Sequence, residues 1–345
     1  MQLRSSKTLV FTPDEVEDNL IGINFLTKDV FGCSADVASR LPRQWVDADD
    51  FARLNFQGDK AAVRALIENG VVVVAGSDLE RRESEYLLDW RWSLPIGLMH
   101  FCLEDLDFMT VEETEESQQE HLATEPQPEL YLRNAGAVTS LPAVLGNNDL
   151  IDLMARRRTV RASGAPSISL ANLSECLFAG LGITGETPNC VGKLPLGMTP
   201  SGGARNPYEA YVFAKNVEDL DPGIYHYSAI DHDLGRLSAN ELPAFSDLVG
   251  GQEWADEMPA MIVLVANLQR TMWKYSDPNA YRVVLIEAGH IGQNIMLTAT
   301  ENGMSACPTA ALNHSIIKRL LGLDGPTVAP IYALTLGVPG KERPQ

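Results

Sequence analysis

Residues 273–304 read WKYSDPNAYRVVLIEAGHIGQNIMLTATENGM, and the way this stretch folds decides the architecture around it. From Ala280 onward the apolar positions Val284, Ala288, Ile291, Ile295, Met296 and Leu297 recur at helical spacing and cover most faces. That pattern predicts one long helix ending near Gly303. A helix apolar nearly all round lies inside a core or at a subunit interface. Just before it stand Lys274 and Tyr275, with Trp273 beside them and the apolar run AMIVLVANL (260–268) upstream. A lysine among aromatics after a buried strand is a candidate for a pKa lowered by desolvation, and the phenol could give or take a proton beside it. The same residues also read as an exposed lysine next to a packing tyrosine.

Working outward, the run AMIVLVANL reads as a buried strand, and YEAYVFAK (208–215) and GIYHYS (223–228) as strands joined by a turn at Asp221-Pro222-Gly223. NLSECLFAGLGI (172–183) predicts a helix stopping at Gly182, and APIYALTLGVP (329–339) a last strand. Mixed helices and strands over residues 150–345 give an α+β domain. Ahead of it, TVEETEESQQEHLATEPQPE (110–129) is acidic and nearly free of large apolar residues, which predicts a loop or linker. The expected organisation is an N-terminal module at 1–110, an acidic linker at 111–149 and the main domain at 150–345.

In the N-terminal module, DADDFARLNF (47–56) and DKAAVRALIENG (59–70) each open on an aspartate suited to a helix start, and VVVVAG (71–76) then reads as a strand. Helices followed by a strand and a turn is a winged-helix-like order, which serves either recognition or as a cap on the main domain. In WRWSLPIGLMHF (90–101), Trp90, Trp92, Met99 and Phe101 could line a groove or pack subdomains together. His100 reads as a buried, hydrogen-bonded imidazole, since no partner lies at ligand spacing.

Composition narrows the function. The 345 residues are 45% hydrophobic and 21% charged, with a formal net charge of −19. An acidic chain is a poor partner for nucleic acid, whose phosphates require a basic face. The charge suits solubility, or a cationic or neutral partner. The five cysteines, Cys33, Cys102, Cys176, Cys190 and Cys307, are scattered without metal spacing and read as reduced thiols. A catalytic cysteine is the other reading. No stretch reads as a signal peptide or membrane span, so the expected location is the cytoplasm.

Two further segments carry chemistry. PSGGARNP (200–207) lacks both the Gly-Lys-Ser/Thr of a P-loop and the G-x-G-x-x-G of a dinucleotide site, yet Gly202 and Gly203 let backbone approach a flat or anionic ligand. ARRRTVRA (155–162) crowds four arginines into an acidic chain. If it is helical, Arg157 and Arg161 share a face, and two guanidiniums with the Thr159 hydroxyl make a phosphate site. A solvated basic patch is the alternative. CPTAALN (307–313) offers small residues for close approach, and Lys341 and Arg343 follow the last strand.

The order R-R-T-x-R, P-S-G-G, PGIYHY, W-K-Y then A-Y-R, EAGHIGQN, a small-residue loop and L-G-x-P resembles the nitroreductase-like flavoproteins. More narrowly it is similar to SagB-type azoline dehydrogenases, in the branch of peptide maturation dehydrogenases. The resemblance is strong over 150–340 and weaker over 30–110. It implies FMN as cofactor, with Arg157, Thr159 and Arg161 on the phosphate and Lys341 or Arg343 as C-terminal partners. Pro200, Ser201, Gly202 and Gly203 would contact the ring, and backbone near Ala310 and Ala311 would approach N5. Lys274 with Tyr275 would manage the proton, the lysine pKa lowered by burial or by the neighbouring Arg205 and Arg282, and Arg205 would also stand among the cofactor-binding residues. The expected activity is oxidation of a residue or azoline in a ribosomally made precursor peptide, by a homodimer, with a cyclodehydratase or other maturation enzymes as possible partners. Two readings stand beside it: an NAD(P)H-dependent reductase of nitro, quinone or alkene substrates, and a flavin-free peptide-recognition scaffold.

Overall fold

The computed structural model describes residues 1–15, 19–127, 130–131, 139–146, 148–238 and 242–340. The chain divides into two compact units. One comprises Met1–Glu104, Asn267–Arg282 and Gly322–Ala329, and the other Asp105–Ala266, Val283–Leu321 and Pro330–Gln345.

The first unit opens with four short strands, β1 (Gln2–Ser5), β2 (Leu9–Pro13), β3 (Leu20–Asn24) and β4 (Asp29–Cys33). There follow α1 (Ala35–Arg40), β5 (Val46–Asp47), α2 (Ala48–Asn55), α3 (Lys60–Glu68), β6 (Val72–Val74), α4 (Asp78–Asp89) and α5 (Leu94–Cys102). Strands β2, β3 and β4 form an antiparallel meander, and β5, β1 and β6 a second small sheet. The expected helix, helix, strand order is present at α2, α3 and β6. Asp47 and Asp59 cap the two helices by accepting from backbone N–H groups, which satisfies donors a helix start leaves open. Leu3, Phe51, Ala52, Val63 and Val72 form the core beneath them. A buried ion pair joins Arg4 to the fully buried Glu83, which also accepts from the Ser6 hydroxyl at 2.8 Å.

The second unit begins with α6 (Val111–Thr124), α7 (Asp149–Arg156) and α8 (Leu170–Leu181). Helix α6 corrects the expectation of a loop. Thr110 and Glu113 form a reciprocal capping box, which makes an acidic, wholly unburied segment helical. Next come the hairpin β7 (Ile183–Asn189) and β8 (Gly192–Gly197), then β9 (Tyr208–Ala214), β10 (Gly223–Ser228), β11 (Asp233–Ser238) and β12 (Ala260–Asn267). A short helix α9 (Leu268–Met272) and the 23-residue α10 (Asn279–Glu301), of which α9 and Asn279–Arg282 belong to the first unit, precede β13 (Ser305–Thr309), α11 (His314–Leu321) and β14 (Val328–Gly337). Six strands assemble in the order β11, β10, β9, β12, β14, β13. β9 and β12 pair antiparallel with Val212 opposite Ile262, and nearly every residue of both is buried. Strands apolar throughout belong at a sheet centre covered on both faces, which is why they read as continuous apolar runs.

Helix α10 buries Val284, Ala288, Ile291, Ile295 and Ala299, each at most 3% exposed and spaced three or four apart. Its outward stripe carries Ile286, Gly289 and His290, so one face of the helix is not covered within the chain. Gly180 lets α8 come close, since a Cβ there would lie 2.9 Å from Ile295 Cγ1. Among the described residues no helix is long and apolar enough to cross a membrane.

Candidate functional site

Helix α7 ends at Arg156, with Arg157 as its cap, so the run from Arg157 to Arg161 is not helical. This corrects the helical basis expected for their convergence. Thr159 makes a parallel β-bridge with Ala306 of β13. Where backbone is extended, as at the Thr159 bridge, alternate side chains share a face. Arg157 Nη1 donates to Thr159 Oγ1 at 3.5 Å, while Arg158 turns back to the carbonyls of Ala155 and Arg157. Arg157 and Arg161 both act on the β13–β14 hairpin. Burial pushes the Tyr332 hydroxyl up, Cys307 adds to the rise, and Arg157 opposes it. Burial likewise pushes the Cys307 thiol up, with Arg161 opposing. A thiol so raised stays protonated, which argues against Cys307 as a nucleophile. Arg161 also lies over the Trp254 ring at 5.9 Å.

The glycine-rich turn sits against α10. A Cβ on Gly202 would stand 2.7 Å from Val283 Cγ1, so only glycine allows this approach without a shift. Gly203, Ala204 and Asn206 all have positive φ, at 63°, 53° and 44°, a run that L side chains seldom adopt. The turn is held by Glu287, which is 5% exposed and accepts from Gly202 N–H at 3.3 Å and from the Ser201 hydroxyl. Burial pushes the Glu287 carboxyl up, and those two hydrogen bonds pull it partly back. Asn206 N–H donates to Ser201 Oγ at 2.8 Å, and Arg205 Nε to the Gly203 carbonyl at 3.3 Å. Arg205 thus folds onto its own turn. Pro200 is exposed.

Ala310 is exposed and Ala311 half-buried in the connection from β13 to α11. Ala311 N–H donates to Thr309 Oγ1 at 3.1 Å, and Asn313 N–H to the Leu248 carbonyl at 3.0 Å, which fixes this backbone. Lys341 and Arg343 lie outside the described residues.

Lys274 and Tyr275 belong to the first unit, in the connection from α9 to α10. The lysine is exposed in the single chain, its Nζ 5.2 Å from the Tyr275 ring centre. Nearby Tyr281 is buried. Burial, with Glu104 adding to it, pushes its phenol up to about 12, so the hydroxyl stays protonated beside His100 Nδ1 at 3.0 Å. His100 is the buried, hydrogen-bonded imidazole expected. Trp90, Trp92 and Phe101 are buried too, whereas Met99 is exposed. Among the described residues no cluster of histidine, cysteine or acidic side chains could hold a metal.

A profile of the Nitroreductase family matches residues 154–338, more than half of the chain, from the end of α7 to the end of β14. The chain belongs to the nitroreductase family. This nitroreductase-family protein is 31% identical over 173 residues to the nitroreductase MJ1384 of Methanocaldococcus jannaschii, covering 50% of this chain and 83% of that one. It is 23% identical over 291 residues to the trifolitoxin operon protein TfxC of Rhizobium leguminosarum bv. trifolii, covering 80% and 81%. Its fold is shared with a chain of the E. coli microcin synthetase McbBCD complex with truncated pro-MccB17 bound, at a TM-score of 0.51 and 20% identity over 68% of this chain and 84% of that one.

Glu287 escaped the sequence reading. An acid in an apolar helix was its one signal, and the N–H it holds lies 85 residues away.

Proposed function

We propose that this nitroreductase-family oxidoreductase is an FMN-dependent dehydrogenase acting on a residue or azoline ring of a ribosomally made precursor peptide. The observation that carries the cofactor is the extended face of Arg157, Thr159 and Arg161 set on the β13–β14 hairpin. Two guanidiniums and a hydroxyl on one face suit a terminal phosphate, because the guanidinium fork matches its oxygens. The side-chain-poor backbone at Gly202, Gly203, Ala310 and Ala311 suits a flat ring. The bound flavin supplies the acceptor for the hydride equivalent that the substrate loses.

The chain's own residues do the remainder. Lys274 takes the proton released as the substrate is oxidised, with Tyr275 beside it to orient or pass that proton on. The peptide substrate is supported by the alignment with TfxC, which spans four-fifths of both chains, and by a fold neighbour whose complex holds a truncated pro-peptide.

The working unit is a homodimer. Val283 and Glu287 meet the glycine turn on one edge of α10, while Gly292 meets Tyr332 on another, where a Cβ would lie 2.5 Å from the Tyr332 ring. At 3.6 residues per turn, Glu287 and Gly292 point about 140° apart. A glycine turn supplied by a second copy and set over the arginine face would let one flat cofactor reach both.

The visible spectrum of the purified protein tests the flavin. Lys274→Ala tests the base: the expected product is a yellow, folded protein with turnover reduced on the order of 100-fold or more. Wild-type turnover in that variant removes Lys274 from the mechanism. The likeness to MJ1384 favours a second reading, reduction of nitro or related substrates by NAD(P)H. Rapid bleaching of the flavin by NAD(P)H, with none by a heterocycle-bearing peptide, selects it.

A further inference from the structure

The aromatic segment from Trp90 to Phe101 has no part in the chemistry above, yet one of its contacts ends on the connection that carries Lys274. Trp92 is 4% exposed, and its indole Nε1 donates to the carbonyl oxygen of Tyr275 at 3.0 Å. Its ring packs edge-on against Tyr281, with centroids 5.6 Å apart, and against Trp90 at 5.9 Å. Tyr281 is held in turn by its hydrogen bond to His100. All of these residues belong to the first unit.

The connection is thus pinned from one aromatic cluster at two places, the Tyr275 carbonyl and the Tyr281 side chain. Between them residues 276–279 are exposed and include Pro278, which cannot donate to a helix. Upstream, the N–H groups of Lys274 and Tyr275 both donate to the Thr271 carbonyl, at 3.1 and 2.9 Å. Those bonds fix the peptides before each residue. The bond from Trp92 fixes the peptide after Tyr275.

Buried indoles ordinarily find an acceptor, so a bond from Trp92 is unsurprising by itself. Its target is the informative part. The indole N–H of Trp90, two residues away and also buried, has no hydrogen-bond partner among the described residues. The cluster leaves that donor unused and directs the other to the residue beside Lys274.

We propose that Trp92 is a positioning residue for the Lys274–Tyr275 pair: its indole N–H fixes the peptide that follows Tyr275, and so the direction in which the phenol leaves the backbone beside the lysine that the Thr271 bonds orient. The N-terminal region then serves the chemistry by shaping the α9–α10 connection. The inference rests on the reading that Lys274 handles the proton. An acid–base group displaced by about 1 Å costs on the order of 100-fold in rate, so a lost anchor registers in the chemical step.

The test replaces Trp92 with 3-benzothienylalanine, which keeps the ring outline and lacks the N–H, alongside Trp92→Phe. The substrate probe is a synthetic peptide bearing one thiazoline, mixed anaerobically with the flavin-loaded enzyme while loss of the flavin's visible absorbance is followed. The benzothienyl variant is expected to keep wild-type flavin content, melting temperature and half-saturating peptide concentration, while its limiting rate falls roughly 10- to 100-fold. A wild-type limiting rate in that variant overturns the inference. So does a loss that follows lowered flavin content or melting temperature, because that is packing alone. An inert wild-type enzyme, or a Lys274→Ala variant with full activity, overturns the underlying reading instead and takes the inference with it.

Discussion

Glu287 shows what one buried carboxylate does when its partners are an N–H and a hydroxyl. Burial raises its folded pKa above that of the unfolded chain, so the folded state holds the proton to higher pH. Its contribution to stability is fully present below the unfolded value and is lost as pH rises through the folded value. Glu287→Gln keeps an acceptor for Gly202 and carries no charge. The difference in melting temperature between wild type and Glu287→Gln is therefore expected to move in favour of the glutamine variant as pH rises from the ordinary carboxylate range. Parallel curves throughout would show that the charge has no such cost. The arginines teach a different lesson about single residues. Arg157, Thr159 and Arg161 were legible as a set, but the helical spacing that first suggested it is absent. Extended backbone sets all three on one face, whereas a helix would align the two arginines and turn Thr159 about 160° away. Sequence alone could not choose between them, since the choice depends on Ala306, which lies far along the chain.

The glycine turn depends on a fit between elements. Gly202→Ala places a methyl against Val283, so the turn must move away from α10 or the valine must yield. The variant is expected to purify with reduced flavin, and the double variant Gly202→Ala with Val283→Ala to recover it. Flavin stoichiometry by absorbance decides, and equal loss in both variants would point to strain in the turn instead. Elements were legible where burial writes a continuous pattern. The central strands β9 and β12, the strand β14 and the long α10 follow the sequence reading within a few residues. The N-terminal strands β2 to β4 were not read, because no residue of β2 or β4 is fully buried and Gly22, which makes room for the Phe31 ring, interrupts the apolar pattern of β3. Helix α6 was missed for the opposite reason, since its stability comes from a cap and its composition argues for a loop.

At the scale of the whole molecule, the outward stripe of α10 carries Ile286, which is 51% exposed, with Gly289 and His290 beside it. If this stripe meets a second copy, Ile286→Asp is expected to give a monomer by analytical ultracentrifugation and to lower flavin content together with it. A monomeric wild type that binds FMN stoichiometrically would overturn the dimeric site. The first unit's opening piece ends at Glu104, and nothing in the sequence announces that Asn267–Arg282 and Gly322–Ala329 belong with it. Such returns are set by contacts such as Leu268 N–H to the Thr327 carbonyl at 2.8 Å, which no local pattern encodes.

That interrupted first unit has a consequence for biosynthesis. Its opening 104 residues leave the ribosome long before the two later pieces, Asn267–Arg282 and Gly322–Ala329, have been translated. At roughly 5–20 residues per second the wait is on the order of tens of seconds. During that interval Trp92 and His100 have no Tyr275 or Tyr281 to meet, and the nascent aromatic cluster is a natural client for chaperones until the last strand is made.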